Sequence, residues 1–140
     1  MIIIEYVHIR GDNVDLIQVM KALSDETRMR ILNLLQNGEM CVCEIETVLN
    51  ISQSNASRHL TKLTTAKIVD YYKVNKYVYY KMDQETIKEF PFINEILISH
   101  AVKLEQCKKD LQRLKKYRES GLTCDNLKDG KVCFNNNCTH

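Results

Sequence analysis

Ser52-Gln-Ser-Asn-Ala-Ser-Arg-His-Leu-Thr-Lys-Leu-Thr-Thr-Ala66, followed without a break by Lys67-Ile-Val-Asp-Tyr-Tyr-Lys-Val-Asn-Lys-Tyr-Val-Tyr-Tyr-Lys-Met82, decides the fold. The first half has helical period. Ser52 is placed to cap the free N–H groups at its start. Ala56, Leu60 and Leu63 form an inward stripe, and Ser54, Ser57, Arg58 and Thr61 fall on the opposite face, flanked by Gln53 and Lys62. The period changes after Ile68. Residues 68–82 hold Tyr71, Tyr72, Tyr77, Tyr79 and Tyr80, five of the seven tyrosines of the chain. Aromatic and β-branched residues favour strands, and Asn75 between Val74 and Lys76 tolerates the left-handed backbone of a tight turn. A polar-faced helix followed by a hairpin tipped with Lys73 and Lys76 is the outline of a DNA-reading helix and its wing.

The preceding chain supplies the rest of such a domain. Leu16, Met20 and Leu23 set a first helix within residues 12–23. Ser24 is the expected cap of a second helix, with Asp25 and Glu26 in its first turn and Met29, Leu32 and Leu35 along it, until Asn37-Gly38 stops it. A short third helix is expected from about Cys43 to Leu49. The fold class is therefore mainly α with a β-hairpin: a winged helix-turn-helix.

Beyond the hairpin, residues 84–89 have a helical pattern that Pro91 interrupts. Ile93, Leu97, His100, Leu104, Cys107, Leu111 and Leu114 then recur at alternating spacings of four and three, the seam along which two helices pack. One such helix without an equal partner in the chain predicts a dimer; packing on its own domain is the alternative. His100 and Cys107 lie in this seam and are read as packed residues rather than ligands. The domain division that follows is 1–118, with a dimerisation helix at about 92–118, and a cysteine-containing tail at 119–140. The tail is rich in Gly, Asn and Asp, has no helical or strand period, and reads as mobile.

Charge is segregated. Residues 1–51 carry eight Asp and Glu against four Lys and Arg, whereas residues 52–82 carry Arg58, Lys62, Lys67, Lys73, Lys76 and Lys81 against Asp70 alone. The cations thus lie on the same segment as the DNA-reading elements, where phosphates would be met. No Gly-rich phosphate loop, Ser/His/Asp constellation or His-Glu-x-x-His is present, so an enzyme is not expected. Met1-Ile-Ile-Ile is followed at once by Glu5, no export signal is visible, and no apolar run approaches a membrane span, so the cytoplasm is the expected compartment.

In a reducing compartment, cysteines are read as ligands or sensors rather than bridges. Two of the six, Cys41 and Cys43, stand one residue apart at the start of the third helix. Its free N–H groups are expected to lower their thiol pKa values, and polarisable sulfur favours soft ions. Cys124, Cys133 and Cys138 crowd the polar tail, where packing does not explain them. The spacing of Cys133 and Cys138 is near that of structural zinc sites, but that of Cys124 and Cys133 is not.

These motifs resemble the ArsR/SmtB family of metal- and metalloid-responsive repressors, and most of all its arsenic branch. Leu23-Ser-Asp-Glu-Thr-Arg-Met-Arg-Ile-Leu-Asn-Leu-Leu35 is similar to that family's second helix, Ser52 to Leu60 to its recognition helix, Ala66-Lys-Ile-Val69 to the junction with the wing, and Glu39-Met-Cys-Val-Cys-Glu-Ile45 to its metalloid box. The family box has a third cysteine where this chain has Glu46, and its wing turn usually has Gly where this chain has Asn75. The resemblance implies a homodimeric repressor that binds double-stranded operator DNA through Gln53, Ser54, Ser57, Arg58, Thr61, Lys62, Lys73 and Lys76. It implies release when As(III) or Sb(III) occupies Cys41, Cys43 and a third thiol. With Glu46 at the box position, that thiol is expected from Cys124, Cys133 or Cys138. A repressor sensing Cd(II), Pb(II) or Zn(II), one sensing thiol oxidation, and a thiol-rich metal carrier are the alternatives.

Overall fold

A computed structural model describes residues 14–128. In chain order these form α1 (Leu16–Leu23), α2 (Glu26–Leu35), β1 (Met40–Cys41), α3 (Val42–Leu49), α4 (Gln53–Thr65), β2 (Val69–Val74), β3 (Tyr77–Met82), α5 (Gln84–Glu89), α6 (Phe92–Ser99), a 3-10 turn (Ala101–Lys103), α7 (Glu105–Ser120) and α8 (Cys124–Lys128). Val19, Ile31, Leu32, Leu34, Ile45, Val48, Leu60, Leu63, Ile68, Ile93 and Leu97 are fully buried and join the helices into one core. The structure has the expected class: mainly helical, with a winged hairpin.

Local chemistry explains the elements that position the site. Ser52 accepts the Asn55 amide at 3.2 Å and starts α4, and Ala56, Leu60 and Leu63 face the core. β2 and β3 pair antiparallel from Val69 with Met82 to Val74 with Tyr77. Asn75 closes their turn with φ +56°, the left-handed backbone that Asn tolerates. Between α3 and α4, Asn50 is also left-handed at φ +56° and ends α3.

Four expectations are corrected. The cap of α2 is Asp25, which accepts the Arg28 amide at 3.0 Å, one residue later than Ser24. On α1 the inward stripe is Val19, Ala22 and Leu23. Leu16 and Met20 face outward, 47% and 49% exposed, because a short helix with apolar residues on two faces buries the one that its exit into α2 dictates.

The single long helix over 92–118 is instead two helices. The chain leaves helical geometry at His100 (φ −123°), makes the 3-10 turn, and restarts from an extended Leu104. A count of fours and threes runs straight through this break, although the helical register resets there. Ile93, Leu97, Cys107 and Leu114 are therefore buried in the chain's own core, while Leu111 is half-buried. His100 is exposed, and Leu104 is 47% exposed. Finally, the tail is not featureless throughout: residues 124–128 form α8, docked by the partly buried Leu122 and Leu127. Cys133 and Cys138 lie outside the described residues.

Candidate thiol site and DNA-facing surface

β1 is two residues long, yet it joins the thiol site to the wing. The sheet order is β1-β3-β2, and Cys41 on the edge strand pairs with Tyr79 of the central strand β3. Cys41 also caps α3, with its backbone N–H donated to Glu44 Oε1 at 3.0 Å. Cys43 lies one residue inside that helix, and Cys124 opens α8. The Sγ atoms of Cys41, Cys43 and Cys124 all lie within 4.8 Å of one another, the one His/Cys/Asp/Glu group of this kind among the described residues. Cys41 and Cys43 sulfurs are 3.0 Å apart. Cys41 and Cys124 are buried and Cys43 half-buried.

The cluster therefore unites two residues of the box with one from the tail, 83 positions away. The Cys41 and Cys124 sulfurs are joined in a disulfide, with Cα atoms 7.2 Å apart, so the cysteines read as ligands rather than bridges include a bridge. The reason is the docking of α8, which brings the sulfurs close enough for either chemistry. Glu46 is not in the cluster. Neither is Cys107, which is buried on α7 facing α2, its carbonyl accepting from Asn33 Nδ2 at 3.3 Å.

For Cys43 the expected low thiol pKa is also corrected. Burial pushes the Cys43 thiol up, and the carboxylates of Glu44 and Glu46 add to this, against the lowering by the backbone N–H groups of Cys43 and Glu44. The shift favours the protonated thiol over the thiolate.

The residues expected to meet DNA lie on the surface of the protein. Gln53, Ser54, Ser57, Arg58, Thr61 and Lys62 are exposed along α4, and Lys73 and Lys76 are exposed on the wing. Arg58 Nη2 donates to Asn55 Oδ1 at 2.9 Å, which holds the guanidinium along the helix. His59 instead points inward. Its Nδ1 is 3.1 Å from Arg28 Nη1 and 3.7 Å from Asp25. As the guanidinium can only donate, Nδ1 accepts and the ring is neutral. Burial holds the His59 pKa below the usual imidazole range; Asp25 opposes this, and Arg28, Arg58 and Lys62 reinforce it.

Residues absent from the sequence reading fasten α3. Tyr117 Oη donates to Glu44 Oε2 at 2.5 Å, and burial, with Glu44 beside it, pushes the phenol pKa up. Arg113 donates to the carbonyls of Val48 (2.7 Å) and Thr47 (2.9 Å), and Arg30 to that of Leu49 (2.9 Å). Arg30 is itself clamped by both oxygens of the fully buried Asp110, at 2.8 and 2.9 Å. A signal existed: Asp110 stands three residues after Cys107 and four before Leu114, on their inward face, and a carboxylate there needs a buried cation.

Parts of the chain are similar to known proteins. Residues 25–71 match the bacterial regulatory protein, arsR family. Over 76 residues the chain is 42% identical to a cadmium resistance transcriptional regulatory protein CadC homolog of Staphylococcus aureus, covering 54% of this chain and 63% of that protein. Over 67 residues it is 43% identical to the arsenical resistance operon repressor of Escherichia coli (strain K12), covering 47% of this chain and 57% of that one. The chain thus spans about three fifths of these relatives' length. A homodimeric winged helix-turn-helix DNA-binding domain from Mycobacterium bovis superposes with a TM-score of 0.53 at 25% identity, covering 64% of this chain and 84% of that domain.

Proposed function

This chain belongs to the ArsR family of bacterial regulatory proteins, DNA-binding regulators rather than enzymes, and from that premise we propose that it is a homodimeric, cytoplasmic repressor of metalloid-responsive genes. It holds operator DNA while its thiols are free, and releases it when As(III) or Sb(III) takes the sulfurs of Cys41, Cys43 and Cys124. One observation carries this reading: three sulfurs from two ends of the chain lie within 4.8 Å of one another. Trivalent arsenic and antimony favour three polarisable thiolates, and the relatives include an arsenical resistance repressor. No helix among the described residues is long and apolar enough to cross a membrane.

The coupling runs through this chain's own residues. Cys41 moves with β3, and Cys43 with the first turn of α3. Fixing both sulfurs to Cys124 shifts the N-terminal end of α3, while Arg30 and Arg113 hold its other end. The movement reaches α4 across Asn50 and Ile51. A preference of about 1–3 kcal/mol for the released state is sufficient coupling. Arg58 reads a base edge, Ser54, Ser57 and Thr61 meet base edges or phosphates, and Gln53, Lys62, Lys73 and Lys76 supply position through phosphates. For the dimer, the faces available are Leu16, Ile17 and Met20 of α1 with Ile98 and Leu104, all exposed in one chain. These take the place of the buried seam positions.

The deciding experiment is X-ray absorption on the arsenite-loaded protein, with three sulfur neighbours expected; two would remove Cys124 from the site. Arg58→Ala should weaken operator binding by about 1–3 kcal/mol and relax one base position. Unchanged affinity in a mobility-shift titration would sink that role. The Cys41–Cys124 bond favours a second reading, release on oxidation. A peroxide would take two electrons and two protons from the two thiols, giving the disulfide and water. DNA release by peroxide without any ion, reversed by a dithiol, would establish it. A four-coordinate sensor of Cd(II) would show a fourth neighbour in the same absorption measurement. A thiol-rich carrier would lack DNA binding with a steep salt slope.

A further inference from the structure

We propose that Lys76 and Tyr77 form a two-donor anion site on the wing, and that the state of the thiol cluster selects its occupant: the Asp125 carboxylate when the cluster is closed, a DNA phosphate when it is open. This rests on the thiol site assigned above.

Tyr77 Oη donates to Asp125 Oδ1, and Lys76 Nζ lies 3.8 Å from the same oxygen. The ammonium also stands over the Tyr77 ring, 5.4 Å from its centroid. A hydroxyl and an ammonium thus converge on one oxyanion at the tip of the element expected to meet the DNA backbone. Carboxylate and phosphodiester oxygens accept from these donors in the same way. They compete for one position.

What delivers the carboxylate is its neighbour in sequence. Cys124, 6% exposed, is bonded into the cluster, and Asp125 follows one Cα step of about 3.8 Å later. Leu122 and Leu127 pack on the core to either side, and Asn126 Oδ1 accepts from the Thr123 amide (2.9 Å) and hydroxyl (3.0 Å), shaping the turn into α8. Holding the Cys124 sulfur therefore holds the carboxylate over the wing. An exposed ion pair is weak by itself. Tethering raises the effective concentration of the carboxylate until it can rival a phosphate. Opening the cluster removes the tether and returns both donors to the DNA.

The test uses the full chain, its Asp125→Asn variant, and a fluorescent duplex selected for binding to the full chain. Arsenite binding is read by thiol protection, and DNA binding by anisotropy across a salt series. Both proteins should protect the same number of thiols. In the wild type, loading should lower the slope of log affinity against log salt by about 0.9 for each wing that gives up a phosphate. In Asp125→Asn that loss should vanish, and loading should weaken binding about threefold less. Tyr77→Phe, which keeps the ammonium and removes the hydroxyl, should fall between them. An equal drop in slope in wild type and Asp125→Asn overturns the proposal. Should arsenite protect no thiols in either protein, the thiol-site reading fails instead. The same slopes are then compared in the Cys41–Cys124 disulfide forms, which close the segment without an ion and decide the anion site on their own.

Discussion

The two ends of α3 are built to opposite purposes. At its C-terminal end, the carbonyls of Thr47, Val48 and Leu49 accept charge-assisted hydrogen bonds from Arg113 and Arg30, and Arg30 is anchored by the buried Asp110. At its N-terminal end the partners are exchangeable: Cys43 is a free thiol, Cys41 is shared between a strand and a bridge, and Glu44 links the Cys41 amide to Tyr117. On the function proposed above, a helix fixed at one end and adjustable at the other is suited to act as a lever. The difference teaches where a small rearrangement of sulfurs can be turned into a tilt.

The fixed end should be the more costly to break. Asp110→Ala leaves the Arg30 guanidinium half-enclosed without its carboxylate and should destabilise the fold by about 3–5 kcal/mol, read as a shift in the denaturation midpoint. A loss under 1 kcal/mol would mean that the two ends do not differ as described. At the adjustable end, Cys43→Ser should leave stability and DNA affinity nearly unchanged and abolish the response to arsenite, a loss of the whole coupling of about 1–3 kcal/mol. Arsenite-driven release that survives the substitution would remove Cys43 from the lever. Tyr117→Phe loosens the link between Glu44 and α7. It should cost about 1 kcal/mol of stability, with sulfur ligation of arsenite intact and release weakened; unaltered release would show that the link is only structural.

The smallest effect concerns the contact between α2 and α4, where His59 is held neutral. Its folded pKa lies below the ordinary value, so the unfolded chain takes up the proton first as pH falls. Stability should therefore decline as pH drops below about 6.5 and level off once the folded imidazole also protonates. Asp25, whose pKa burial raises but the Arg28 amide and the Arg28 charge together bring below the ordinary value, adds its own loss only in the carboxylate range. Unfolding midpoints at pH 7 and pH 5.5 measure the first effect, and His59→Gln should flatten it. Identical midpoints in the native chain would break the link.

The DNA-reading half was legible because its signals are local. Ser52 caps the helix it begins, Leu60 and Leu63 recur on one face, and Asn75 sits where the backbone turns left-handed. Each depends on residues within a few positions. The site was legible only in part. Cys41 and Cys43 announce themselves, but β1 is too short to show alternation. The Tyr117 to Glu44 bond spans 73 positions, and the choice of Cys124 depends on how α8 docks. The break at His100–Leu104 is not legible in the sequence, because the apolar spacing continues across it while the backbone does not. Periodicity reports which residues are apolar; it is silent on whether their partner is the same chain or another.

The arrival of the third sulfur on α8, outside the winged core, has a practical meaning for anyone building detectors. On the function proposed above, the part that recognises DNA and the part that completes the ion site occupy different stretches of polypeptide, joined by the close of α7 at Gly121. Exchanging residues 122–128 for segments offering imidazole, carboxylate or additional thiol would retune which element triggers the switch. The operator would stay the same. A panel of reporters for different contaminants could then share one promoter and one dimer scaffold, and differ in a single cassette.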